Sequence, residues 1–190
     1  MSIIICPGIH DSALTQCFLS VCQEQVIKRG KSHKAVNLQV FPAEGGLSLS
    51  AFHILQFLHK HFQDRIESPV VFISFSAGVV GSILAAHKWQ QSGGRIKAFI
   101  AIDGWGVPLW GKFPIHRMSH DYFTHWSSSL LGSGENSFYA DPPVEHLEMW
   151  GSPQTVQGYW VNSLYGESPP KEYLSAAEFL HLLLKRYGDN

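Results

Sequence analysis

Short apolar runs alternate with longer amphipathic stretches along the chain, and that alternation predicts its elements. Ile3 to Cys6 is a continuous apolar run stopped by Pro7-Gly8, and from about Ala13 to Lys28 the residues Leu14, Phe18, Val21 and Val26 recur at roughly helical spacing. Strand then helix is the reading. "KAVNLQVF" ends at Pro42 and the loop "AEGGLS", and "SLSAFHILQFLHKHF" follows with Leu49, Phe52, Leu55 and Leu58 on one helical face. "VVFIS" leads into a third helix from about Ala77 to Gln91, which Gly93-Gly94 ends before "IKAFIAI" begins a fourth strand. "FPIHRMS" predicts a fifth strand, "YFTHWSSSLL" a helix and "SFYAD" a sixth strand. Two helical patterns remain, from about Pro153 to Leu164 and from about Lys171 to Arg186. The second carries Tyr173, Leu174, Ala177, Leu180, Leu183 and Leu184 as an apolar stripe suited to docking on the sheet.

Short apolar strands alternating with helices predict an α/β fold: a mostly parallel sheet of about six strands with helices on both faces, since each strand buries both sides. At 190 residues and 45% hydrophobic content the chain supports one core, so residues 1–190 are read as a single domain. A net charge of -1, with Lys and Arg scattered, leaves no electrostatic footprint for nucleic acid. The opening "MSIIICPGIHD" lacks the basic start of a signal peptide, and no stretch approaches the ~18 apolar residues of a membrane span. Cys6, Cys17 and Cys22 cannot pair fully and show no C-x-x-C spacing, which points to a reduced, cytoplasmic setting.

Candidate chemistry gathers where "VVFISFSAG" turns from strand to helix. In a parallel α/β sheet ligands bind beyond the carboxyl ends of the strands, and Ser76 stands at such an end. A sharp turn there needs small neighbours. Ser74 and Gly78 flank Ser76, and Gly81 lets the following helix lie close to the sheet. The helix N-terminus presents backbone N–H groups, that of Ala77 first, to any oxyanion formed beside Ser76. The plain alternative is a helix N-cap serine with no chemistry.

The stretch Ser74-Phe75-Ser76-Ala77-Gly78 resembles the G-x-S-x-G nucleophile elbow of the α/β-hydrolase fold, with Ser74 in place of the first glycine. The resemblance covers about Ile3 to Leu164 and implies a compact version with six strands in place of eight. It implies a second oxyanion donor in an early loop, and "CPGIHD" offers the N–H of Ile9, with His10 second and also placed to contact substrate. It implies a triad in the order serine, acid, histidine. Asp121, after the fifth strand, and His146, after the sixth, fill those places. Asp103, after the fourth strand, is the rival acid. Asp141 lies too near His146 in sequence, and Glu145 stands where the family often has a glycine before its histidine.

Histidines invite a metal reading, but His116, His120 and His125 fall on or beside an extended stretch without a partner ligand, so no metal is expected. His53, His59 and His61 read as a solvated helix face. Five of the six tryptophans follow the fourth strand, and Trp105 and Trp126 are candidate walls of an apolar pocket, core packing being the other reading. The short stretch between Asp103 and the fifth strand leaves no room for a large lid. The resemblance therefore implies a serine hydrolase without cofactor, cleaving a carboxylic ester or thioester with an apolar acyl group. Two other readings stay open: an inactive small-molecule binding module, supported by Ser74 and Glu145, and an acyltransferase or lyase on the same scaffold.

Overall fold

A computed structural model describes residues 1–27, 37–62, 65–162 and 171–188. Lys28, the start of the second predicted strand at Lys34 to Val36, and Leu164 lie outside them. The elements run β1 (Ser2–Cys6), α1 (Ser12–Ile27), β2 (Asn37–Val40), a 3-10 turn (Glu44–Leu49), α2 (Ala51–Phe62), β3 (Val70–Phe75) and α3 (Ala77–Gln91). There follow β4 (Ile96–Ile102), β5 (Ile115–Ser119), α4 (Tyr122–Ser129), β6 (Asn136–Ala140), α5 (Glu148–Gly151), β7 (Gln157–Asn162), β8 (Lys171–Ser175) and α6 (Ala176–Gly188).

One sheet of eight strands forms in the order β2-β1-β3-β4-β5-β6-β7-β8. The pairings from β2 through β6 are parallel, and β7 and β8 join antiparallel. Period-two alternation divides the core. Ile3 and Ile5 of β1 point to a cluster with Phe18, Trp150 and Phe179, whereas Ile4 and Cys6 point to one with Ile54, Leu58 and Val79. Helices α1, α5 and α6 thus cover one face and α2 and α3 the other, which is why β1, β3 and β4 are mostly apolar on both sides.

Two expectations are corrected. The sheet has eight strands rather than about six: the helix expected from Pro153 to Leu164 is a turn leading into β7, and β8 occupies the first five residues of the expected tail helix. Tyr159, Trp160 and Val161 favour a pleated surface, and a tyrosine ladder sets the register. Tyr159 pairs with Tyr139 on one side and Tyr173 on the other, with ring centroids 5.7 and 5.1 Å apart. Lys171 Nζ donates to the Tyr139 hydroxyl at 3.0 Å.

The second correction concerns α2, whose buried residues are Ile54, Leu58 and Phe62, while Leu49 and Phe52 are exposed. Leu49 belongs to the 3-10 turn and so falls out of phase with the helix. Of the stripe expected in the tail, Ala177, Leu180, Leu183 and Leu184 are buried on α6, Leu174 is buried on β8, and Tyr173, also on β8, is exposed. Among the described residues no helix is long and apolar enough to cross a membrane.

Candidate active site

The carboxyl ends of β3 and β4 hold two residues in an unusual backbone conformation. Ser76 has φ 53° and ψ -123°, and Asp103 has φ 51°; they are the only non-glycine residues with positive φ among those described. Such backbone costs on the order of 1–3 kcal/mol and persists only where the surroundings enforce it. Here the parallel ladder does so: Ser76 N–H donates to Ile102 O at 2.9 Å and Asp103 N–H to Met118 O at 2.8 Å.

Tight packing completes the turn at Ser76. A Cβ at Gly78 would collide with the carbonyl oxygens of Cys6 and Pro7, and one at Gly8 would come within 2.8 Å of Ser76 Cβ. The Pro7-Gly8-Ile9 loop therefore lies against the start of α3, which brings the Ile9 and Ala77 backbone to the same end of the sheet. Ser74 is buried where the elbow pattern has glycine, and its hydroxyl accepts from Ser82 Oγ at 2.7 Å, joining β3 to α3. A hydrogen bond with Ser74 only partly offsets the burial that pushes the Cys6 thiol up to about 12.

His146 lies in the loop between β6 and α5. Its Nε2 is 3.0 Å from Ser76 Oγ and its Nδ1 is 2.9 Å from Asp103 Oδ2. Phe75 stacks on the imidazole at 4.7 Å and on Trp150 at 5.0 Å, and Trp150 stacks on Phe18 at 3.7 Å. Ring packing from the core thus fixes the plane of the histidine. A serine hydroxyl, an imidazole and a carboxylate in this line can pass the hydroxyl proton to Nε2 while the carboxylate holds the Nδ1–H tautomer.

Asp121 is not the carboxylate in that line. It is the N-cap of α4, its Oδ1 accepting from Thr124 N–H at 2.6 Å. Partial burial pushes its carboxyl up, but hydrogen bonds from Thr124 and the His120 charge outweigh that and leave it below its ordinary value. Asp103 takes the place instead. The side chain is 1% exposed, and its second oxygen accepts from His120 N–H at 2.8 Å.

His120 is a contact the sequence reasoning missed. Its Nδ1 is 3.0 Å from Asp103 Oδ2, the oxygen that also faces His146, and its Nε2 is 3.7 Å from Asp121 Oδ2. The bond to Asp103 raises its pKa; burial opposes, and the charges of Asp103, Asp121 and Glu145 add to the rise.

A cavity of about 510 Å³ opens above Ser76, walled by Val80, Trp105, Val107, Phe123 and Thr124 along with the polar residues just described. Trp105 donates its indole N–H to Ser127 Oγ at 3.0 Å, tying the loop after β4 to α4. Trp126 is not among the walls; α4 presents Phe123 there, three positions earlier, and the two rings are 6.3 Å apart. His10 lines a separate hollow of about 210 Å³ bordered by Pro7 and Gly8, with Nε2 3.0 Å from Thr15 Oγ1. Burial first, and then the His146 charge, push its pKa down. No protein-family model matches the chain, and no curated protein matches it.

Proposed function

We propose that the protein is a serine hydrolase of α/β-hydrolase type that cleaves a carboxylic ester or thioester. The observation that carries the reading is the hydrogen-bonded line Ser76–His146–Asp103, with the serine held on a strained strand-to-helix turn. Its order along the chain is the serine, acid, histidine order of the fold that the elbow resembles.

Ser76 Oγ attacks the substrate carbonyl while His146 Nε2 takes its proton. The carbonyl π-electrons move onto oxygen, and the N–H groups of Ile9 and Ala77 hold that oxyanion. As the intermediate collapses, His146 returns the proton to the departing alcohol or thiol, leaving an acyl-enzyme on Ser76. Water, deprotonated by the same imidazole, attacks the acyl carbon, and the imidazolium returns that proton to Ser76 Oγ as the acyl–oxygen bond breaks and the acid leaves. Asp103 keeps the imidazole in its Nδ1–H tautomer and stabilises its cation. No step calls for a cofactor. Val80, Trp105, Val107 and Phe123 favour an apolar acyl group. We place the reaction in the cytoplasm, in keeping with the free thiols of Cys6, Cys17 and Cys22.

Intact-mass analysis after exposure to a fluorophosphonate tests the assignment. The parent gains one adduct, Ser76→Ala gains none, and His146→Ala and Asp103→Asn react far more slowly. A folded parent that stays unlabelled overturns the proposal and leaves a binding module as the better account.

A further inference from the structure

Asp103, His120 and His146 bring three potential metal-ligand atoms within 4.8 Å of one another. Two imidazole nitrogens, His120 Nδ1 and His146 Nδ1, face the single oxygen Asp103 Oδ2 at 3.0 and 2.9 Å. Tetrahedral zinc with bonds of about 2.0–2.1 Å sets its ligand atoms about 3.3 Å apart, so the two nitrogen–oxygen pairs must open by a few tenths of an ångström and the two nitrogens, within 4.8 Å of each other, must settle at that same spacing to admit the ion. The carboxylate is buried, the two imidazoles are 27% and 40% exposed, and the cavity above them gives access and space for a fourth, solvent ligand. Asp121 and Glu145 add negative charge around His120.

We propose that Asp103, His120 and His146 form an inhibitory Zn2+ site that switches the serine off. The two nitrogens favour zinc over magnesium or calcium, which take oxygen ligands. The proton balance gives the inhibition. A neutral His146 in its Nδ1–H tautomer offers the Nε2 lone pair to the Ser76 hydroxyl. Zinc on Nδ1 transfers the imidazole proton to Nε2, which then donates to Ser76 Oγ at the same 3.0 Å contact and can no longer accept its proton. His120 likewise carries its remaining proton on Nε2, on the side of Asp121, and gives up one to solvent if it was charged. Only the effect on turnover rests on the hydrolase reading; the binding of the ion does not.

Zn2+ alone is the probe, competed from a chromogenic chelator by the Ser76→Ala chain, in which no serine chemistry takes place. One ion per chain is expected, and His120→Gln weakens it by about tenfold or more, since loss of a ligand exceeds loss of an outer partner. X-ray absorption of the zinc-loaded parent, which depends on no variant's folding, is expected to give two imidazole nitrogens and a carboxylate oxygen at about 2.0–2.1 Å. A shell with sulfur, a shell with fewer than two imidazoles, or an affinity unmoved by His120→Gln in a folded chain overturns the site. In the parent, zinc suppresses fluorophosphonate labelling and a chelator restores it; labelling that persists with the ion bound overturns the inhibition. A parent that binds zinc through these residues yet is never labelled overturns the hydrolase reading and leaves the metal site standing.

Discussion

Asp103 Oδ2 meets His146 Nδ1 at 2.9 Å across a separation of 43 residues, and this contact decides which aspartate serves the histidine. Asp103→Asn cannot hold the Nδ1–H tautomer and is expected to lower kcat roughly 10³–10⁴-fold on an ester substrate. Asp121→Asn retains an N-cap acceptor and is expected to cost far less. Steady-state rates of the two variants make the comparison, and equal losses would reject the assignment of Asp103.

The close approach of α3 to β1 depends on residue 78 having no side chain. Gly78→Ala drives a methyl group into the Cys6 and Pro7 carbonyls. Overpacking against backbone costs about 1–3 kcal/mol, so the urea midpoint should fall. Fluorophosphonate labelling should slow as well, because the Ile9 and Ala77 amides move apart. A variant with an unchanged midpoint would mean that the turn relaxes more easily than its packing implies.

Phe123 is 60% exposed overall yet forms part of the cavity wall. Phe123→Ala is expected to reduce the preference for longer acyl esters over acetyl esters by about tenfold, the scale of a lost apolar contact. Trp126→Ala should leave that ratio much closer to the parent's. A series of p-nitrophenyl esters of increasing chain length measures both.

His116 is fully buried on β5, with Nε2 2.7 Å from the Tyr187 hydroxyl. Burial, aided by the Arg186 charge and opposed by a hydrogen bond with the Asn136 backbone, pushes its pKa from 6.5 down to about 3. The folded state keeps this imidazole neutral while the unfolded chain takes up a proton below 6.5. Stability is therefore retained above that value and lost as pH falls toward about 3. Urea midpoints measured down this range should decline, and His116→Gln should make the decline shallower. An unaltered slope would assign the acid sensitivity elsewhere, first to His125, whose pKa burial lowers to about 4.

The central strands were legible because burial on both faces makes them largely apolar runs, as in Val70 to Ile73. β7 and β8 were not. Their partial exposure mixes polar with aromatic residues, and only the cross-strand tyrosines reveal the pairing. Ser76 and His146 could be found from strand ends and the resemblance. Asp103 is only the rival acid in the sequence pattern, because two aspartates follow adjacent strands and one of them is spent on a helix cap. "DYFT" did contain that signal: an aspartate directly before a helical pattern is an N-cap. His120 stood out only among the histidines of the metal reading; its contact with Asp103 was beyond reach, since it follows from strand order and a shared oxygen.

The backbone bonds from Ser76 to Ile102 and from Asp103 to Met118 also bear on hydrogen exchange. Each amide adds a rung to the middle of the sheet, so Ser76 and Asp103 are anchored in its most protected layer, whereas His146 comes to them from a loop. Their N–H groups should exchange with solvent only through opening on the scale of the global unfolding free energy. Rapid local fluctuations of the chain can then alter access to the cavity while the serine and the carboxylate keep their positions.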